Sequence, residues 1–147
     1  MIESRSASNL AMTFRLFILL ASLLVTVTAQ SEDTERIDTF RSAVEEKILN
    51  RFDDELGSIL KAQGLADIEI EQVKISFSQD VSVCYADAVA EFRDSKSISM
   101  AEILPNPEQG TLNWIVVDIE EYFQSMIPCM SLAYENAGIP DDLLGDK

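Results

Sequence analysis

Apolar residues recur at helical spacing through the stretch 34–63. They are Ile37, Phe40, Val44, Ile48, Phe52, Leu56 and Leu60. Steps of three and four residues place side chains on one face of an α-helix, and Gly64 follows where helices favour glycine. Most of the steps are of four residues, which turn about 40° beyond a full circle, so the apolar stripe rotates along the helix. The pattern predicts a helix that ends before Gly64, with a bend or break near Asp53, Asp54 and Gly57.

The segment 68–77 fits two structures. Its apolar residues alternate as in a strand, although the alternation slips phase at Glu71 and Gln72. Read as a helix, the segment starts a stripe that continues well beyond it, through Ile70, Val73, Phe77, Val81, Cys84, Ala88 and Phe92. The helix is the favoured structure, with Asp67 as its N-cap, and low helix propensity at 75–78 predicts a break there.

Two further elements follow in the second half of the chain. Ser99 and Glu102 have the spacing of a capping box and predict a short helical turn that ends at Leu104 and Pro105. The stretch 105–110 then predicts a loop. A last helix is predicted from Leu112, kinked near Pro128 and ended by Gly138 and Pro140. Its apolar stripe is Ile115, Ile119, Phe123, Met126, Met130 and Tyr134.

These elements predict an all-α fold, a small bundle of three to four helices that follows a cleaved signal peptide. Cys84 and Cys129 are the two cysteines of the chain and lie on or beside apolar stripes, so one disulfide is expected to join the second and last long helices. If the segment 68–77 is a strand, an α+β fold replaces the bundle.

The first residues have the composition of a secretory leader. Arg15 precedes an apolar run over 16–27, and Val27-Thr28-Ala29 supplies the small residues that signal peptidase requires. We therefore expect a signal peptide over 1–29, a single helical domain over 30–140 and a mobile acidic tail over 141–147. The expected location is the periplasm, or alternatively the extracellular space, without stable membrane anchoring after cleavage.

The chain is strongly acidic, with 26 acidic and 11 basic side chains and a net charge of −15. Removal of the leader takes away one acidic and two basic residues, so the mature charge becomes 9 − 25 = −16. Such a field repels nucleic acid and anionic membrane surfaces and attracts basic partners. Simple solubility also explains acidity, so the charge gives the sign of a partner without establishing one.

Catalytic chemistry has little support in this sequence. The chain has no histidine, which is the commonest general base and the commonest transition-metal ligand. It also lacks a phosphate-binding glycine loop, a Gly-x-Ser-x-Gly elbow and a calcium loop of the required spacing. Carboxylate groups remain, but adjacent residues on a helix point in different directions. We expect no enzyme activity, no metal site and no cofactor.

Trp114 is the candidate binding residue. On a helix starting at Leu112, Trp114 and Val117 fall off the apolar stripe, so something must cover them. Another part of the same chain is one possible cover. The other is a partner protein, with Trp114 and Val117 as the apolar contact and Asp118 and Glu121 as the acidic surround.

The sequence therefore predicts an exported, non-enzymatic domain that binds a basic protein without covalent chemistry, as an inhibitor or immunity-like factor would. The alternative is a periplasmic stress chaperone or a carrier of apolar ligands, since methionine-rich stripes adapt to irregular apolar surfaces. An exposed Trp114 surface favours the first function, and an enclosed apolar cavity favours the second.

Overall fold

The computed structural model describes residues 29–139. The chain divides into two units between Glu35 and Arg36. In the first unit the described residues, 29–35, are helical. The predicted signal peptide up to residue 28 and the predicted acidic tail over 141–147 lie outside the described residues, so the predicted domain limits stay predictions. Within the described part of the chain, no helix is long and apolar enough to cross a membrane.

The second unit is built from α-helices. Helix α1 occupies residues 36–52, and the helical path continues through a π-helix, Asp53–Gly57, into α2, Ser58–Ala62. The remaining elements are α3 (Asp67–Lys96), α4 (Met100–Ile103), a 3₁₀ turn (Pro107–Gln109) and α5 (Ile119–Asn136). The residues 29–139 contain no strand, so the all-α prediction is confirmed and the α+β alternative is wrong.

The π-helix lies where the sequence predicted a bend or break. Four-residue steps rotate the apolar stripe around an α-helix, which would carry Leu60 away from the face that holds Phe52. A π-helix has more residues per turn, so the same step turns through less than it does in an α-helix. The wider turn between the two residues offsets the drift, and both Phe52 and Leu60 are buried.

Helix α3 is continuous across the segment that allowed two structures. Ile70 and Phe77 are buried while Ile75 is exposed, as one helical face requires. The predicted break at 75–78 is wrong. The hydroxyl of Ser76 donates to the carbonyl of Gln72 at 3.1 Å, so this polar side chain is satisfied within the helix. Packing of the apolar face outweighs the low local helix propensity.

The end of the first helical segment and the start of α3 lie at or next to the predicted residues, but one predicted N-cap is wrong. Gly64 has a φ of 94°, which confirms glycine as the residue that ends the first helical segment. The N-cap of α3 is Ala66, so the prediction that Asp67 is the cap is wrong by one residue. The carboxylate of Glu69 satisfies the helix start by accepting the Ala66 N–H at 2.8 Å.

The capping box at Ser99 is confirmed. The Ser99 hydroxyl accepts the Glu102 N–H at 3.3 Å, and the Glu102 carboxylate accepts the Ser99 N–H at 3.1 Å. Hydrogen bonding to Ser99 lowers the pKa of the Glu102 carboxyl. Helix α4 then ends before Leu104, as predicted, and Leu104 is fully buried.

The last helix begins later than the sequence predicted. Asp118, and no residue near Leu112, is its N-cap, and the Asp118 carboxylate accepts the Glu121 N–H at 2.9 Å. The helix ends at Asn136, with Gly138 at a φ of 68°, close to the predicted end. Pro128 lies inside α5, and the predicted kink at that residue stays a prediction.

Two buried clusters form the core of the Arg36–Lys147 unit. The first cluster includes Phe40, Val89 and Tyr122, and the second includes Phe52 and Phe77. Each of them contains residues from α3 and α5.

A disulfide joins α3 and α5. Cys84 in α3 and Cys129 in α5 are bonded, with their Cα atoms 5.6 Å apart, which confirms the predicted pairing. The bond ties together two of the helices that contribute to both core clusters.

Gly110 fixes the loop before α5 against α1. Its φ is 55°, and a Cβ atom there would lie 3.2 Å from the carbonyl carbon of Ala43 and from the backbone nitrogen of Val44. The residue therefore needs both the backbone freedom and the small size of glycine. Lys47 of α1 donates to the carbonyls of Gln109 and Gly110 and holds the same contact.

Candidate functional site

Trp114 is half exposed, with 46% of its surface accessible. Its indole stacks on Phe123, with ring centroids 6.2 Å apart and planes at 21°. It also meets the edge of Tyr122 at 6.0 Å and 78°. Trp114 is thus held in place by two aromatic rings while part of its surface remains accessible, a geometry typical of aromatic anchors in interfaces.

Trp114 belongs to a larger apolar surface. Ile119, Phe123 and Ile127 lie one turn apart on the same side of α5, and Ile115 precedes the helix beside Trp114. All are exposed, from 44% for Phe123 to 94% for Ile115. We refer to Trp114, Ile115, Ile119, Phe123 and Ile127 as the α5 apolar face. Contiguous apolar surface of this kind marks interaction sites in folded proteins.

The other predicted binding residues have different positions. Val117 is only 4% exposed and lies in the first core cluster, so it cannot contact a partner. Asp118 is exposed and caps α5, while Glu121 forms an ion pair with Lys96 at 2.7 Å. Glu121 raises the pKa of Lys96 through this contact. Trp114, Asp118 and Glu121 are therefore exposed, and Val117 is not.

The sequence interpretation missed most of the α5 apolar face. It assigned Ile115, Ile119 and Phe123 to the buried stripe, but the buried residues of α5 are Tyr122, Met126 and Ala133. The missed signal was Asp118, which is a favoured N-cap residue and precedes Glu120 and Glu121 in the first turn. A helix begun there leaves Leu112 and Val117 free to enter the core.

Tyr122 supports the α5 apolar face from below. Only 1% of it is exposed, its ring contacts both Trp114 and Phe123, and its hydroxyl donates to the carbonyl of Tyr85 at 3.1 Å. Burial is the main cause that raises the Tyr122 pKa, followed by the nearby phenol of Tyr85. Tyr122 therefore stays neutral and keeps its hydrogen bond well into the alkaline range.

Alkaline pH should destabilise the fold partly through Tyr122. The pKa of a tyrosine in the unfolded chain is about 10, whereas burial raises the pKa of Tyr122 in the folded protein above that value. The unfolded state then holds fewer protons than the folded state, so this stabilisation is complete below about pH 10 and is lost as pH rises towards the folded pKa. The loss for one such phenol is about 1.4 kcal/mol at pH 11. Urea unfolding at pH 8 and pH 11 would measure it.

Tyr122→Phe is the control for this prediction. Lys74, Lys96, Tyr85 and Tyr134 also have raised pKa values, which lower stability in the same way as pH rises, but these groups remain in the variant. The decline in unfolding free energy should be smaller for Tyr122→Phe than for the unchanged chain. Equal declines would show that the Tyr122 phenol has no part in the alkaline response.

A second feature is a partly open groove of about 500 Å³. It lies among α1, the π-helix, α3 and α5, with Gly110 at its edge. Its floor is apolar and consists of Val44, Ile48, Phe52, Leu56, Phe77, Val81 and Met130. Its polar lining is Lys47, Arg51, Glu55, Tyr85 and Tyr134. The volume falls within the range of small-molecule sites.

The described residues do not form a cluster of metal-binding side chains. Within residues 29–139, no group of three or more carboxylate or cysteine side chains is placed to hold an ion. The described residues form a disulfide-linked all-α structure in which the α5 apolar face is exposed and the groove has both apolar and polar lining residues. Comparison of the chain with protein-family models, with curated proteins and with solved structures finds no match.

Proposed function

We propose that the protein acts by non-covalent binding to a second protein with a basic surface, as an exported inhibitor or immunity-type factor would. The observation that carries this proposal is the exposure of the α5 apolar face around Trp114. A few residues supply most of the energy of protein interfaces, and tryptophan is enriched among them. In Trp114 and Phe123 the face has two mutually stacked rings.

The acidic residues around the α5 apolar face indicate a basic partner. Asp118 and Glu120 border the α5 apolar face and are exposed, and neither forms an ion pair within the described residues. The chain as a whole carries a net charge of −15. Lysine and arginine side chains around an apolar contact on the partner would therefore be attracted at long range and matched at the rim.

Export is part of the same proposal. The Cys84–Cys129 disulfide is compatible with an oxidising compartment, where such bonds persist. The charged, apolar and small-residue order before residue 30 supports secretion, with the periplasm as the proposed location. A binding factor in that compartment would benefit from a covalently tied scaffold because its contact surface lies on α5.

Trp114→Ala should weaken binding to the partner by about 30-fold or more, the loss typical of truncating a central aromatic anchor. The tagged chain is used at low salt to capture proteins from its native compartment, and the captured protein is purified and titrated by calorimetry. Leu132→Ala is the matched control, because Leu132 is exposed on α5 but lies outside the α5 apolar face. Binding of this control should be unchanged.

The salt dependence tests the charge of the partner. Raising the ionic strength should weaken the interaction of the unchanged chain by screening its acidic rim. An empty capture, a partner that binds Trp114→Ala as tightly as the unchanged chain, or equal loss in Leu132→Ala contradicts the proposal. Circular dichroism checks that the variants remain folded.

A further inference from the structure

Basic side chains are few in this protein, and five of the eight within residues 29–139 pair with carboxylates. Among the described residues, five ion pairs join a basic and an acidic side chain. They are Arg41–Asp38, Lys61–Asp67, Lys74–Asp53, Arg93–Asp94 and Lys96–Glu121, at 2.7 to 3.7 Å. Lys47 and Arg51 are not in these pairs, and both line the groove. Two cations without carboxylate partners are therefore placed at one site of a chain whose net charge is −15.

The geometry of α1 brings these two cations together. Lys47 and Arg51 are four residues apart, so they lie on one side of the helix. The Lys47 ammonium is anchored by the Gln109 and Gly110 carbonyls, which satisfy its hydrogen bonds but do not cancel its charge. Arg51 makes no hydrogen bond or ion pair within the described residues. Its guanidinium has five donors and matches the geometry of a carboxylate or a phosphate.

The phenols of the groove add polar groups without charge. Tyr85 and Tyr134 line the groove, and their hydroxyls make no hydrogen bond among the described residues. Burial raises the pKa of both phenols, so they are neutral donors at physiological pH. Beneath them the floor formed by Phe77, Val81 and their neighbours is apolar.

Glu55 limits the charge that the groove can accept. Its carboxylate is near enough to Tyr134 to contribute to the raised pKa of that phenol. With Lys47 and Arg51 on the same lining, the net charge around the groove is one positive unit. This net charge matches a ligand with a single negative charge. A ligand with several negative charges would be repelled by Glu55 and by the acidic residues of the rest of the chain.

We propose that the groove binds a small amphiphile that has an apolar body and one anionic head group. The body lies on the floor formed by Ile48, Val81 and Met130, and Arg51 and Lys47 contact the head group. The volume of about 500 Å³ suits a ligand of this size. This binding is separate from the proposed protein contact, since no residue of the α5 apolar face lines the groove.

Calorimetric titration of the full chain with decanoate tests the proposal, with 1-decanol and decyltrimethylammonium as probes of the same chain length and different charge. The two ionic probes are used below their micelle-forming concentrations, and 1-decanol is used below its solubility limit. Decanoate should bind once per chain and more tightly than 1-decanol, and the cationic probe should bind most weakly. Arg51→Gln should weaken decanoate binding by about tenfold or more, the effect of losing one charge-assisted contact. It should leave 1-decanol binding unchanged.

Arg41→Gln is the matched control, because Arg41 lies on the same helix, pairs with Asp38 and does not line the groove. Its decanoate affinity should equal that of the unchanged chain. Methyl NMR locates the probe: Val81 and Met130 signals should shift, and those of Ile119 and Ile127 should not. Absence of one-to-one decanoate binding, equal affinity for decanoate and 1-decanol, or shifts confined to the α5 apolar face would overturn the proposal. None of these results bears on capture through Trp114.

Discussion

Removing the disulfide with Cys84→Ala/Cys129→Ala should lower the free energy of unfolding by about 4 kcal/mol. The bond closes a loop over 45 positions, and the loop-entropy relation gives this value for a chain segment of that length. The cause is the greater conformational freedom of the unfolded chain when the cross-link is absent. Since small domains are stable by only about 5 to 15 kcal/mol, the loss is a large share of the total.

Urea unfolding of the double variant measures this loss. A larger dependence of the unfolding free energy on urea should accompany it, because an unfolded chain without the cross-link exposes more surface. The unchanged chain in a strong reductant provides an independent comparison and should give a similar loss. A change below about 1 kcal/mol in both experiments would contradict the entropic account of the bond.

Tyr122→Ala should cost about 3 to 5 kcal/mol, as is usual when a large buried aromatic ring is truncated. Tyr122 is 1% exposed and is the largest of the fully buried side chains within residues 29–139. Its ring is 5.7 Å from that of Phe123 and 6.5 Å from that of Tyr85, so the variant removes several ring contacts and leaves a cavity. Thermal and urea unfolding would measure the loss.

Two other variants separate the components of this effect. Tyr122→Phe keeps the ring and removes the hydrogen bond to the Tyr85 carbonyl, which should cost about 1 kcal/mol. Trp114→Ala changes a half-exposed ring and should cost less than Tyr122→Ala. If Tyr122→Phe were as damaging as Tyr122→Ala, the hydrogen bond and not the packing would be the main contribution of this residue.

These variants also relate stability to the proposed protein contact. Tyr122 is buried and contacts Trp114, so Tyr122→Phe should preserve partner binding by keeping the ring beneath the indole. Trp114→Ala should have the opposite profile, with a small loss of stability and a large loss of binding. This contrast would show that Tyr122 positions the Trp114 indole and that Trp114 itself contacts the partner.

Local signals were sufficient for much of the helical fold. Apolar residues four positions apart, such as Phe40 and Val44, lie on one face of a helix, so this face can be recognised from nearby residues of the sequence alone. Gly64 and Gly138 adopt positive φ angles at helix ends for reasons that belong to the single residue. The pairing of Cys84 with Cys129 was determined by the presence of two cysteines and by their position on apolar stripes.

The candidate binding surface depended on information that spacing does not contain. Apolar periodicity identifies a face but does not say whether another helix covers it. Ile119 and Phe123 have the spacing of core residues, yet they are exposed because α5 packs on α3 through the side that carries Tyr122 and Cys129. The start of α5 at Asp118 also placed Val117 in the core.

The sequence by itself determined an acidic, all-α protein with one disulfide, because helix formation, capping and charge depend on local composition. Only the tertiary structure decided which apolar stripe is covered, because burial depends on how distant helices pack. It also decided that Lys47 and Arg51 lie beside an apolar floor, since residues of α1, α3 and α5 meet there only after folding. Both proposed sites could therefore be found only from the tertiary structure, whereas the helices that form them could be predicted from the sequence.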